Sequence, residues 1–131
     1  MYRILFGKVL EMLFLNMGLE LPNIVNIIEV MENYVDSIRP PEHIRDKLDI
    51  TYKIENQSVI FQEVRPMFKN PGRKLEFGFA KATYIKSSQR WKVYWMRANL
   101  KWQSYEPKPE VNNLEEFVKL VDADAYHCFR G

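Results

Sequence analysis

DITYKIENQSVIFQEVR, residues 49 to 65, decides the fold. Apolar side chains recur at every second position on both sides of Asn56 and Gln57, a period that suits a half-buried strand and not a helix. A two-residue connection beginning with Asn fits a tight hairpin, because Asn tolerates the positive φ that such turns need. The stretch therefore predicts strands from Asp49 to Glu55 and from Ser58 to Arg65. Their pairing puts Ile50, Tyr52, Ile54, Val59, Phe61, Glu63 and Arg65 on one face and Thr51, Lys53, Ile60 and Gln62 on the other.

Downstream, Pro66 is expected to stop the ladder, which leaves KNPGRK, residues 69 to 74, as an exposed basic loop. A second hairpin follows, Phe79 to Lys86 and Arg90 to Arg97, turning over Ser88 and Gln89. The register predicted for it opposes Lys86 with Trp91, Tyr84 with Val93, Ala82 with Trp95 and Ala80 with Arg97. Small alanines then face large partners, and Trp91 and Trp95 belong to the core. Lys81, Thr83, Ile85, Lys92, Tyr94 and Met96 take the other face. A further extended piece, Leu100 to Tyr105, ends before Pro107 and Pro109.

Upstream, Ile24, Ile27, Ile28, Met31, Val35 and Ile38 recur at helical spacing after Asn23, whose side chain can cap a helix over residues 24 to 38. Pro40 and Pro41 end it, and EHIRDKL (42–48) suits a second, short helix. At the other end Asn113 with Glu116 has the form of a capping box, and Leu114, Phe117, Val118 and Val121 make a buried stripe. Helices at the ends of a run of strands indicate an α+β domain over residues 21–131. The expected architecture is an antiparallel sheet of four to five strands flanked by N-terminal helices and a C-terminal helix.

In 131 residues, 47% of them hydrophobic, there is material for one core, and a single cysteine, Cys128, excludes an intrachain disulfide. A cytoplasmic location is the expectation, with no membrane span. Residues 1–20 read as an extension or an extra amphipathic helix with Leu5, Val9 and Met12 or Leu13 on one side. Glu11 breaks their apolar run, which is too short for a bilayer, and no small-residue cleavage site follows. Met17 is an alternative working start.

The charge is unevenly spread. Residues 1–64 carry 6 cationic and 10 acidic side chains, residues 65–105 carry 10 and 1, and residues 106–131 carry 3 and 6. The middle block predicts an anionic partner, nucleic acid or an acidic protein, unless the acidic helices fold over it. Its binding candidates are Lys69, Arg73, Lys74, Lys81, Lys92, Tyr94 and Lys101, since nucleic-acid binders combine cations for phosphates with rings for bases. A protein-interaction face is the alternative.

Two other groupings bear on chemistry. Asp49, Glu63 and Arg65 gather near one end of the first hairpin, as the carboxylates of a Mg²⁺-dependent nuclease do, but an Arg is a poor substitute for the proton-transferring Lys of such sites. Glu63, Arg65 and Arg97 are alternatively expected to form one buried charge cluster, because an isolated charge on the inward face is costly. Asp122, Asp124, His127 and Cys128 at the C-terminus make no recognised metal site. No glycine-rich phosphate loop or catalytic triad is evident, so no catalytic residue, metal or cofactor is assigned.

Taken together, Arg39-Pro40-Pro41 with Ile44 and Arg45, Gln57-Ser58-Val59, Glu63-Val64-Arg65-Pro66, Ala80 to Tyr84, the stretch 91–102 and Cys128-Phe129 before Gly131 resemble a bacterial family catalogued as domain of unknown function 3024. The resemblance runs from about residue 21 to the C-terminus. It implies kinship and a bacterial origin, and no activity.

Overall fold

The computed structural model describes residues 24–131. The expected cap Asn23 and the extension 1–20 lie outside the described residues. Helix α1 spans Ile24–Ile38 and buries Ile27, Ile28, Met31, Tyr34 and Val35, the face set by its helical spacing. A single 3-10 turn, Glu42–Ile44, stands where a longer helix was expected. It is closed by the Ile44 N–H on the Pro41 carbonyl, 2.9 Å, while the Arg45 guanidinium Nε donates to the Pro40 carbonyl, 2.8 Å, and the chain is extended again by Asp49.

Six strands follow: β1 Asp49–Glu55, β2 Ser58–Met67, β3 Asn70–Ile85, β4 Arg90–Met96, β5 Trp102–Ser104 and β6 Glu110–Val111. Helix α2, Leu114–Ala123, closes the order. The sheet is antiparallel in the order β1-β2-β3-β4-β5, with β6 also pairing β4. The first hairpin has the predicted register, Ile54 opposite Val59 and Ile50 opposite Glu63, and Asn56 takes the predicted positive φ of 54°.

The second hairpin differs from expectation by two residues. Its loop is four residues long, Lys86 to Gln89, closed by the Gln89 N–H on the Ile85 carbonyl at 2.8 Å with Gln89 at φ 55°. Ala80 therefore faces Trp95, Ala82 faces Val93 and Tyr84 faces Trp91. A shift of two keeps every side chain on its predicted face, because the strand period is two. Arg97 falls past the end of β4.

Of the expected loop at 69–74, residues 70–74 are instead strand. β2 and β3 continue together to a turn at Phe68 and Lys69, with Pro66 opposite Lys74. Counting in twos from Ser58, the residue that closes the first hairpin, Pro66 directs its backbone toward β1, which has already ended at Asp49 opposite Val64. The missing N–H of Pro66 thus costs no ladder bond.

Both helices lie on one side of the sheet. Phe61 sits at the centre of that side, 5.2 Å from the Tyr34 ring, 5.6 Å from Phe117 and 6.2 Å from Phe79. Phe79 and Ala80 are consecutive yet both buried, because a bulge opposite Phe61 and Gln62 makes Phe79 an extra residue in β3. Trp91 is buried as predicted, and Trp95 is half-buried against the same core.

The last elements are pinned by local polar bonds. Asn113 accepts the Glu116 N–H at 2.9 Å, and Glu116 in turn accepts the Asn112 N–H, also 2.9 Å, which is the predicted box displaced by one residue. Asp124, in the left-handed region at φ 42°, takes the N–H groups of Phe129 and Arg130 at 3.0 and 2.9 Å. Phe129 is thereby held 4.7 Å from the Tyr105 ring. Tyr34 donates its hydroxyl to Asp122, 3.3 Å; burial first, then the Asp122 carboxylate, pushes the phenol up to about 12.

Candidate functional site

The side of the sheet that carries no helix presents Thr51 and Lys53 from β1, Ser58, Ile60 and Gln62 from β2, Lys81 and Thr83 from β3, and Lys92 and Tyr94 from β4. No described element covers it. The acidic helices pack on the other face, so they do not lie over these cations.

At its centre, Lys81 and Tyr94 are cross-strand partners. The Lys81 ammonium lies 4.8 Å from the centre of the Tyr94 ring and 4.8 Å from the Trp102 ring, which reaches in from β5. Such distances place the cation over two π faces. Desolvation by this half-buried setting pulls Lys81 below the usual lysine range, while Glu55 opposes the shift. Trp102 can lie flat here because residue 78 is glycine: a Cβ on Gly78 would stand 2.9 Å from Trp102 Cζ2 and 3.2 Å from Ile60 Cγ2. Ile60, beneath, is buried although it faces away from the helices.

Around this centre the polar groups are partly committed. Ser58 and Thr83 share a hydroxyl bond of 2.7 Å, and buried Gln62 donates to Thr51 at 3.2 Å and to Glu76. Lys53 pairs with Glu55 at 3.3 Å and Arg90 with Glu110 at 3.8 Å. Lys92 is exposed, next along β4 from Tyr94, and forms no ion pair among the described residues.

Of the predicted binding residues, the structure brings Lys81, Lys92 and Tyr94 together on this face. Lys69, Arg73 and Lys74 lie apart on the exposed β2–β3 ribbon, and exposed Lys101 sits just before β5. Trp102 was not among the sequence candidates. The signal for it was Gly78, a glycine inside a strand, which marks a close approach from another group.

Asp49, Glu63 and Arg65 are not assembled around a common point. Glu63 is opposite Ile50, so Asp49, one residue earlier, is directed to the other face. Its carboxylate is held by Arg39 through bonds of 2.8 and 2.7 Å, which keep it below the usual carboxylate range despite partial burial. The same bonds raise Arg39. Glu63 instead accepts both Nε and Nη2 of Arg65 at 3.1 and 2.6 Å, with the Arg65 side chain 56% exposed. Arg97 does not join them: it is exposed and donates to Gln103 at 2.9 Å. Loss of the predicted Ala80–Arg97 pairing, through the four-residue turn, is the reason.

At the C-terminus Asp122 and Asp124 are engaged by Tyr34 and by the backbone, and Cys128 contacts the Tyr126 carbonyl at 3.7 Å. Burial pushes the Cys128 thiol up, away from the reactive thiolate. Among the described residues no three acidic, His or Cys side chains converge as a metal would require, and no helix is long and apolar enough to cross a membrane.

A family model described as a domain of unknown function (DUF3024) matches residues 20–131. No curated protein and no solved structure matches the chain.

Proposed function

The chain belongs to the DUF3024 family, and we propose that it is a binding module for an anionic polymer, single-stranded nucleic acid, which lies across the helix-free face of its sheet. The observation that carries this reading is the Lys81 ammonium set 4.8 Å from two rings on a face that no described element covers. Rings of this kind offer stacking surfaces to bases of any identity, and cations beside them meet the phosphates. Lys92 extends the cationic track along β4. The reading is one of binding, and no residue is assigned a catalytic role.

Titration of fluorescein-labelled oligothymidine tests it. Affinity is expected to fall with salt by about 0.7 log units per phosphate contact per log unit of salt. Lys81→Ala and Lys92→Ala are each expected to weaken binding, and Lys92→Ala to change folding stability by under about 0.5 kcal/mol. A flat salt dependence, or no binding at low salt, would refute the proposal. Retention of the protein on polyaspartate under those conditions would point to an acidic protein as the partner.

A further inference from the structure

The β2–β3 hairpin runs on past both of its neighbours. β1 stops opposite Val64, and β4 reaches β3 only as far as Ala80. Beyond them the two strands pair only with each other and end in a turn at Phe68, which is 95% exposed. No core requirement explains an aromatic side chain at that position. Residues 65–77 carry four cations, Arg65, Lys69, Arg73 and Lys74, against one acid, Glu76. The Lys74 ammonium, opposite Pro66, donates to the Asp46 carbonyl at 2.9 Å and ties the middle of the ribbon to the body. Lys69 and Arg73 form no ion pair among the described residues.

We propose that this ribbon is an arm for duplex DNA, inserted into the major groove adjoining a single strand held on the sheet face, with Phe68 at its tip packing on a thymine methyl group and Lys69 and Arg73 meeting phosphates. The proposal rests on the nucleic-acid reading above and names a second contact. Its dimensions fit: two strands about 5 Å apart, with side chains on both sides, match a groove about 12 Å wide. The three residues past Val64, Arg65 to Met67, extend about 10 Å at about 3.4 Å each, enough to reach a floor about 8.5 Å deep. The same groove in A-form RNA is deep and narrow, so duplex RNA excludes the arm. A lipid surface fits less well. At the tip only Phe68 and half-exposed Met67 are large and apolar, between cations, and the other exposed apolar side chains of the ribbon, Leu75 and Phe77, lie nearer the root, opposite Arg65 and Glu63.

The test compares labelled DNA hairpin, RNA hairpin of the same sequence and oligothymidine, using the unmodified protein, Phe68→Ala and the double variant Lys69→Ala/Arg73→Ala. Phe68→Ala is expected to weaken DNA-hairpin binding about tenfold, the loss of one apolar contact at the groove floor, and to leave oligothymidine binding and melting temperature unchanged. The double variant is expected to reduce the salt slope on the DNA hairpin by about 2. Equal binding of RNA and DNA hairpins, or a DNA-hairpin affinity indifferent to both variants, would overturn the arm. So would partition onto phosphatidylserine vesicles without DNA-hairpin binding. Oligothymidine binding without hairpin binding removes the arm alone, whereas failure of both ligands removes the nucleic-acid reading itself.

Discussion

Phe61 and Ile60 are neighbours in one strand, and they face different worlds. Phe61 points into a layer where Tyr34, Phe79 and Phe117 surround it and two helices exclude water. Ile60 points the other way and is buried between its cross-strand partners Lys53 and Lys81, with the Trp102 ring nearby over Gly78. The first face is closed by secondary structure, the second only by side chains of the sheet itself, Trp102 over Gly78 and the Thr51–Gln62–Glu76 bonds among them. Burial on the helix side is therefore shared among many residues, and burial on the open side depends on few.

The largest expected effect tests the closed side. Phe61→Ala should cost about 3–5 kcal/mol in urea denaturation, since it removes a ring from the centre of a packed layer. Ile60→Ala should cost about 2 kcal/mol. Equal losses would mean that the open face is as much a core as the other, and the contrast would fail.

The next effect sharpens the open side. Gly78→Ala puts a methyl group against the Trp102 ring and should cost about 1–3 kcal/mol by overpacking. Displacement of Trp102 should also shift tryptophan emission and weaken oligothymidine binding. An unchanged spectrum with full stability would show that Trp102 is free to move and does not seal Ile60.

The smallest effect concerns the Arg39–Asp49 pair, which ties the end of α1 to the start of β1. Asp49→Ala should cost about 1 kcal/mol near neutral pH, a value held down by the partial exposure of both partners. The folded-state pKa of Asp49 lies below its ordinary 3.8, so the stabilisation is present above that value and is lost as pH falls through the folded pKa. The difference between the two proteins should thus vanish in acid. A difference that persisted there would assign the effect to something other than the ion pair.

Much of this contrast was legible in the residues. Alternation on each side of Asn56-Gln57, joined to the tight two-residue turn that Asn56 favours, points to one register, and it is the one observed. The second hairpin shows why faces are easier to read than registers. A two-residue and a four-residue turn give the same inward set, Ala80, Ala82, Tyr84, Trp91, Val93 and Trp95, so alternation could not distinguish them. It could, however, misplace Arg97, whose exposure follows from the longer turn. The ribbon was hidden because Pro66, Pro71 and Gly72 read as breakers, and only knowledge of where β1 ends shows that Pro66 loses no partner. β6, at two residues, is too short to have a period. At the candidate site, Lys81, Lys92 and Tyr94 were found by alternation, whereas Trp102 required the tertiary contact that Gly78 permits.

The placement of the β2–β3 turn outside the packed layers has an evolutionary corollary. Insertions or deletions there are absorbed by lengthening or shortening a ladder that touches neither helix. Change by matched pairs, one residue in each strand, moves the tip by about 3.4 Å per pair and leaves all residues from the bulge inward in register. Removal from one strand alone instead turns every side chain beyond that point to the opposite side. Hairpin length is accordingly a dimension along which relatives of this chain can change in even steps without disturbing the packed layers, and sequence alignments should show their gaps beside the turn, balanced on both sides.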